Sequence, residues 1–175
     1  MGRRFSVLLV ACLGLLACQS PRTAFVEYRN ADLGIVLRHP QGWDVLVAPE
    51  GDWVQIVPSR VGSHPDPYRY AEFISVRALG GQVPSSEETL RHLAFSLLPF
   101  HGVAKFQREE GPGPERYRFE GTGTAAETQW AGIGLLVVEP GRVVHVVCAK
   151  PIEQWRQGQR ECDAVIGSVH LLTGR

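Results

Sequence analysis

The cysteine sulfurs are the groups in this chain whose surroundings say most about their chemistry. They belong to Cys12, Cys18, Cys148 and Cys162. Cys18 follows Leu15-Leu16-Ala17, behind a basic start (Arg3, Arg4) and a 12-residue apolar run from Phe5 to Leu16. A positive start, a short apolar stretch and a small residue at its end form the layout of a secretory signal, with cleavage after Ala17. The run falls short of the roughly 20 apolar residues that span a bilayer as a helix, so a permanent transmembrane anchor is not expected. Met1-Gly2 with Ser6 also fits the loose N-myristoylation pattern, but that modification needs no apolar stretch behind the glycine.

A cysteine placed directly after the cleavage site resembles the lipobox of bacterial lipoproteins. The resemblance implies diacylglycerol transfer to the Cys18 sulfur, cleavage before Cys18 and acylation of the new amine. Two such anchoring signals are about what stable membrane attachment requires. An ordinary signal followed by a coincidental cysteine is the alternative. Gln19, rather than Asp, favours the periplasmic face of the outer membrane in a two-membrane cell, and otherwise the outer face of the cell membrane. The chain then divides into a signal at 1–17, a lipidated tether at 18–23 and one domain at 24–172.

Removal of residues 1–17 takes away two Arg and no acid, leaving 158 residues with 16 basic and 18 acidic side chains, a net charge of −2. That length holds one domain with a proper core. The near-neutral balance speaks against nucleic acid, which calls for a basic stripe. With Cys12 lost and Cys18 acylated, Cys148 and Cys162 remain, an even pair in an exported and oxidising compartment. A structural disulfide is the expectation, and two separate buried thiols are the alternative. A redox pair would favour the C-x-x-C spacing.

Other chemistry is sparse. The histidines stand at 39, 64, 92, 101, 145 and 170, with no i, i+4 pair of the kind that binds zinc from a helix. His64-Pro65-Asp66 offers two ligand types in a loop, which do not close a site, so no metal is expected. His145 lies among valines and reads as a hydrogen-bonded sheet residue. There is no G-x-S-x-G nucleophile motif, and Ser63 beside His64 is adjacency without triad geometry. Glu109-Glu110 point to opposite faces of a strand. Gly121-Thr122-Gly123-Thr124-Ala125-Ala126 matches G-x-G-x-x-A, but a strand rather than a helix follows; the match reads as a hairpin turn. No cofactor and no catalytic residue are expected. Trp43 and Trp155 read as core. Trp53, together with Tyr68 and Tyr70 of an irregular stretch from Ser59 to Tyr70, is the candidate surface for a protein partner.

The elements that must position these groups follow from periodicity. Strands are expected in FVEYR, LGIVLRHP, WDVLVAP, WVQIVP and AEFISVRAL, separated by Asn-, Gly- and Pro-containing turns. Ser85-Ser86-Glu87-Glu88 reads as a capping box with Ser85 as the cap. A helix from about 86 to 98 follows, its Leu90, Leu93, Ala94, Leu97 and Leu98 forming one stripe. VAKFQREE, ERYRFEG, ETQWAGIGLLVVE and RVVHVVCA read as antiparallel strands joined by short turns. A last helix is expected over about 152–172, with Trp155, Cys162, Val165, Ile166 and Val169 on one face.

YRNADLGIVLRHPQGWDV, with Gly34, Pro40, Gly42 and Trp43, resembles the entry of PsbP-like domains. The final strand, short break and helix closing on Gly167-Ser168-Val169 resemble their ending. The resemblance covers about residues 24–172 and implies an α+β domain: an antiparallel sheet with helices packed on both faces, an α/β/α sandwich. Members include extrinsic or assembly proteins of photosystem II and bacterial lipoproteins. Such a spread transfers no chemistry. The expected role is non-enzymatic: a membrane-anchored accessory or assembly protein at the cell envelope, with small-ligand or lipid binding in a pocket between sheet and helix as the alternative.

Overall fold

The computed structural model describes residues 23–59, 72–81, 83–84, 86–96, 100–125 and 127–172. In chain order the elements are β1 (Phe25–Asn30), β2 (Ile35–Pro40), β3 (Trp43–Val47), β4 (Trp53–Pro58), β5 (Phe73–Gly80) and α1 (Glu87–Ser96). Then come β6 (Phe100–Glu109), β7 (Glu115–Ala125), β8 (Thr128–Glu139), β9 (Arg142–Pro151), α2 (Ile152–Gly167) and β10 (His170–Leu171). Seven strands form an antiparallel sheet in the order β3-β4-β5-β9-β8-β7-β6, while β1, β2 and β10 form a small second sheet.

The large sheet lies in the middle. On one face Ile56, Ile74, Ile133, Leu135 and Val146 meet Leu33 of the β1–β2 turn, Ile35 and Leu37 of the small sheet, and Cys162, Val165 and Ile166 of α2. On the other face Phe106, Phe119, Leu136 and Val147 meet Leu90 and Ala94 of α1. This is the expected α+β sandwich, with a helix on each face. The small sheet is an addition that periodicity did not reveal. Covering both faces also abolishes the apolar–polar alternation of the central strands: residues 143–150 of β9 and 130–137 of β8 are buried without a break. Such continuous burial is more familiar from parallel sheets. Phe73 and Ile74, consecutive in β5, are accordingly both buried.

Three local expectations are corrected. The cap of α1 falls at Ser86, whose Oγ accepts the Thr89 N–H at 3.2 Å; Ser85 lies outside the described residues, as do Leu97 and Leu98. The Gly121–Thr124 segment is not a turn. It lies inside β7, with Gly121 opposite Gly132 and Gly123 opposite Trp130. The reversal comes two residues later, between Ala125 and Thr128, with Glu127 at φ 66°. Glycines here continue the strand because β6 and β8 pair with it on both edges. Finally, α2 stops at Gly167, and His170–Leu171 pair with β2 as strand β10. Ser168 makes that switch: its hydroxyl donates to Val165 O at 2.6 Å and accepts the Arg38 N–H at 2.8 Å.

Gly34 shows why the entry motif needs a glycine. Its φ is +63°, and a Cβ there would lie 2.7 Å from Arg142 Nη2. Arg142 reaches across to donate to Leu33 O at 3.3 Å and to Glu139 at 2.6 Å, tying the small sheet to the β8–β9 turn.

Candidate functional site

Cys148 on β9 and Cys162 on α2 are joined as a disulfide, with Cα atoms 5.3 Å apart. Strand β9 runs straight into α2 at Pro151–Ile152, and the helix turns back along it, so the two sulfurs meet in the core. Both residues are buried, and the bridge reads as structural.

Next to it lies a charged cluster that periodicity alone did not single out. Lys150 is directed to the same face as Cys148, and its side chain is only 7% exposed. Its ammonium pairs with Glu161 of α2 at 2.7 Å and with Glu72, the residue that leads into β5. It also lies 5.6 Å from the ring centre of Trp43. A buried ammonium needs paired oxygens to offset its lost hydration, and here two carboxylates supply them. The same Glu161 accepts a hydrogen bond from Thr23 Oγ1 at 3.3 Å. One lysine thus joins the start of the domain, the entry of β5, the end of β9 and the middle of α2. The only sequence signal was a lysine in an otherwise apolar strand end, three residues before Glu153.

The opposite face of the sheet carries a polar row. Trp53 is opposite Arg77, and Arg77 is opposite His145. The Arg77 guanidinium lies 4.8 Å from the Trp53 ring centre, and Trp53 Nε1 donates to Ser75 Oγ at 2.9 Å. Trp53 is half-buried, and its polar edge is thus already engaged. His145 is buried against Phe119 and approaches Ala94 O of α1 through Nε2 at 3.2 Å. Burial lowers its pKa to about 4, the Ala94 contact opposing and the Arg77 charge reinforcing that shift. His145 is therefore a neutral core histidine at physiological pH. Gln55 Nε2 and His145 Nδ1 are buried without a hydrogen-bond partner among the described residues.

Tyr68 and Tyr70 lie outside the described residues, as do Cys18 and the His64-Pro65-Asp66 segment. Ser59 and Glu72, which flank the Tyr68–Tyr70 segment, stand at the end of β4 and the start of β5; Trp53 stands at the other end of β4. A cleft of about 470 Å³ lies between the outer side of β1–β2 and the end of α2, lined by Glu27, Arg38, Ser168 and His170 among others. The interface between the large sheet and α2 is instead filled by the disulfide, Val165 and Ile166.

Among solved structures, the chain is similar to a cyanobacterial PsbP (CyanoP) from Synechocystis sp. PCC 6803. The TM-score is 0.62 at 13% identity, over 90% of this chain and 99% of that one. It is also similar to LpqN, a protein involved in cell envelope biogenesis of Mycobacterium tuberculosis. There the TM-score is 0.53 at 13% identity, over 86% of this chain and 91% of that one. No family model and no curated protein sequence matches. The protein has a PsbP-like α+β fold in a single domain. At such identities the likeness extends to the fold and carries no site residue with it.

Proposed function

We propose that this protein is an exported lipoprotein, held to the membrane through acyl chains on Cys18, that acts without catalysis as an accessory or assembly partner of an envelope complex. The observation that carries the exported half of this reading is the buried Cys148–Cys162 disulfide, since such bridges persist in oxidising compartments. The lipobox-like Leu15-Leu16-Ala17-Cys18 supports the anchor. LpqN, which shares the fold, serves envelope biogenesis in its own organism, which supports the accessory role. Metabolic labelling with a radiolabelled fatty acid, comparing the natural chain with Cys18→Ala, tests the anchor. The natural chain is expected to carry label and to stay with membranes after a high-salt wash; the variant is expected to fold without label. Normal processing and membrane retention of the variant would sink the anchor. Crosslinking and pull-down from the native envelope tests the role, and recovery of no partner above a soluble control would overturn it.

A second reading, small-ligand binding, draws on the cleft beside Arg38, Ser168 and His170, whose volume of about 470 Å³ is within the range of ligand sites. Its test is ligand-dependent protection of Arg38 and His170 from chemical modification in an envelope extract.

A further inference from the structure

We propose that the domain rests on the lipid surface by the end of the sandwich at which α2 begins, with Ile152 as the side chain nearest the lipid. The proposal rests on the lipid-anchor reading above and adds which surface faces the bilayer. The described chain begins at Thr23, which is bonded to Glu161 at 3.3 Å, and Ala24 O accepts the Gln41 N–H at 2.8 Å. The tether therefore leaves beside the middle of α2. Five chain steps separate Thr23 from Cys18, and fully extended they reach at most about 18 Å.

The helix uses up most of that reach. Nine helical steps separate Ile152 from Glu161, an axial rise of about 13 Å. That rise points toward the end of the sheet where β1 starts, β2 ends at Pro40 and β9 ends at Pro151. With an upright domain, Cys18 can reach the bilayer only if the first turn of α2 lies within a few ångströms of it. The opposite end, at the β8–β9 turn, lies some 36 Å away along the 12 residues of β8.

The exposed apolar groups agree with this geometry. Among the described residues the exposed large hydrophobic side chains are Val26, Val47 and Ile152. Val26 and Ile152 lie at the end where α2 begins, whereas Val47 lies at the far end of β3. Ile152 is 42% exposed although it opens a helix whose other large apolar residues turn inward. A domain lying on its side would instead press Gln157 and Arg160 of α2, both exposed and beyond the first turn, against the lipid. Charged groups lose hydration in that arrangement, whereas an isoleucine gains by leaving water.

The test uses the full-length lipidated protein in native membranes, with the photoreactive amino acid p-benzoylphenylalanine replacing Ile152 in one variant and Pro112, at the far β6–β7 turn, in another. Gln154, exposed on the same turn as Ile152, provides a further position should the change at 152 disturb folding. Phospholipid adducts are expected to be several-fold more abundant at 152 or 154 than at 112, as read by mass spectrometry. Equal adducts at both ends, or adducts to protein alone at 152 and 154, would overturn the orientation while the salt-resistant membrane fraction shows that the anchor stands. A natural chain that washes off membranes would overturn the anchor and this proposal together.

Discussion

Gly158 of α2 lies directly over the aliphatic chain of Lys150, so that a Cβ on Gly158 would fall 2.6 Å from Lys150 Cε. The lysine reaches Glu161, one turn further along the helix, because that turn has no side chain in its way. A residue that weakens an isolated helix is thus what lets a buried cation cross beneath it. On an exposed helix Gly→Ala stabilises by about 1 kcal/mol. Here Gly158→Ala is expected to destabilise by about 1–3 kcal/mol, the usual cost of overpacking. In the background of Lys150→Ala the sign should reverse. Urea unfolding of the four proteins measures both, and a stabilising Gly158→Ala in the natural background would refute the close fit.

Lys150→Met keeps most of the stem and removes the charge. Glu72 and Glu161 then face each other without their shared ammonium. Breaking such a pair is expected to cost about 3 kcal/mol. Adding Glu161→Gln should recover a large part of it, since it removes the repulsion as well as a stranded charge. Additive losses in the double variant would show that the two groups act independently.

The disulfide closes a loop with a sequence separation of 14. In the chain-entropy model such a bridge stabilises by about 3 kcal/mol. For a domain of this size each kcal/mol moves the melting midpoint by about 2–4 °C. Cys148→Ala/Cys162→Ala is therefore expected to melt roughly 10 °C lower, while the non-reduced mature protein should yield no alkylated thiol at either position. Free alkylation of both would contradict the bridge.

His145 makes stability depend on pH. Folded, it binds a proton only near pH 4; unfolded, it does so near the ordinary histidine value of about 6.5. The unfolded chain thus holds more protons between these values, and stability falls as pH drops through this window. The loss is about 3 kcal/mol in all and is complete below pH 4. His145→Gln should flatten the dependence, measured as urea midpoints at several pH values. A residual slope of the same sign is expected from His39, whose pKa burial also lowers. An unchanged slope in His145→Gln would refute the assignment.

Phe119 lies opposite Gly134 across β7 and β8, with its ring over the place a side chain would fill; a Cβ there would come within 2.6 Å of Phe119 Cε1. Gly134→Ala is expected to destabilise by a few kcal/mol through displacement of the ring from His145 and Phe95. Combination with Phe119→Leu should reduce the penalty, and calorimetric midpoints distinguish the two cases.

Local chemistry and periodicity determined much of this protein from the chain alone. The strands of alternating or β-branched residues and the amphipathic stripes of α1 and α2 are short-range patterns. So is the motif around Gly34, Pro40, Gly42 and Trp43. Each is written within a dozen residues, where backbone sterics and side-chain period act directly. The α+β class followed from them; helices on both faces of the sheet were what the family resemblance implied, and a Cys148–Cys162 bridge was the expectation left by the count of thiols.

Only the tertiary structure decided what long-range packing controls. Burial of both faces erased the parity of β5, β8 and β9. Pairing on both edges turned Gly121–Thr124 from an expected turn into the interior of β7. The need of β2 for a partner ended α2 at Gly167 and made His170–Leu171 a strand. Lys150, Glu72, Glu161 and Gly158 became one unit because β9, the entry of β5 and α2 converge there. Charge compensation and close approach act through space, and their partners lie as far apart in sequence as 72 and 150. Sequence spacing therefore carries no trace of them.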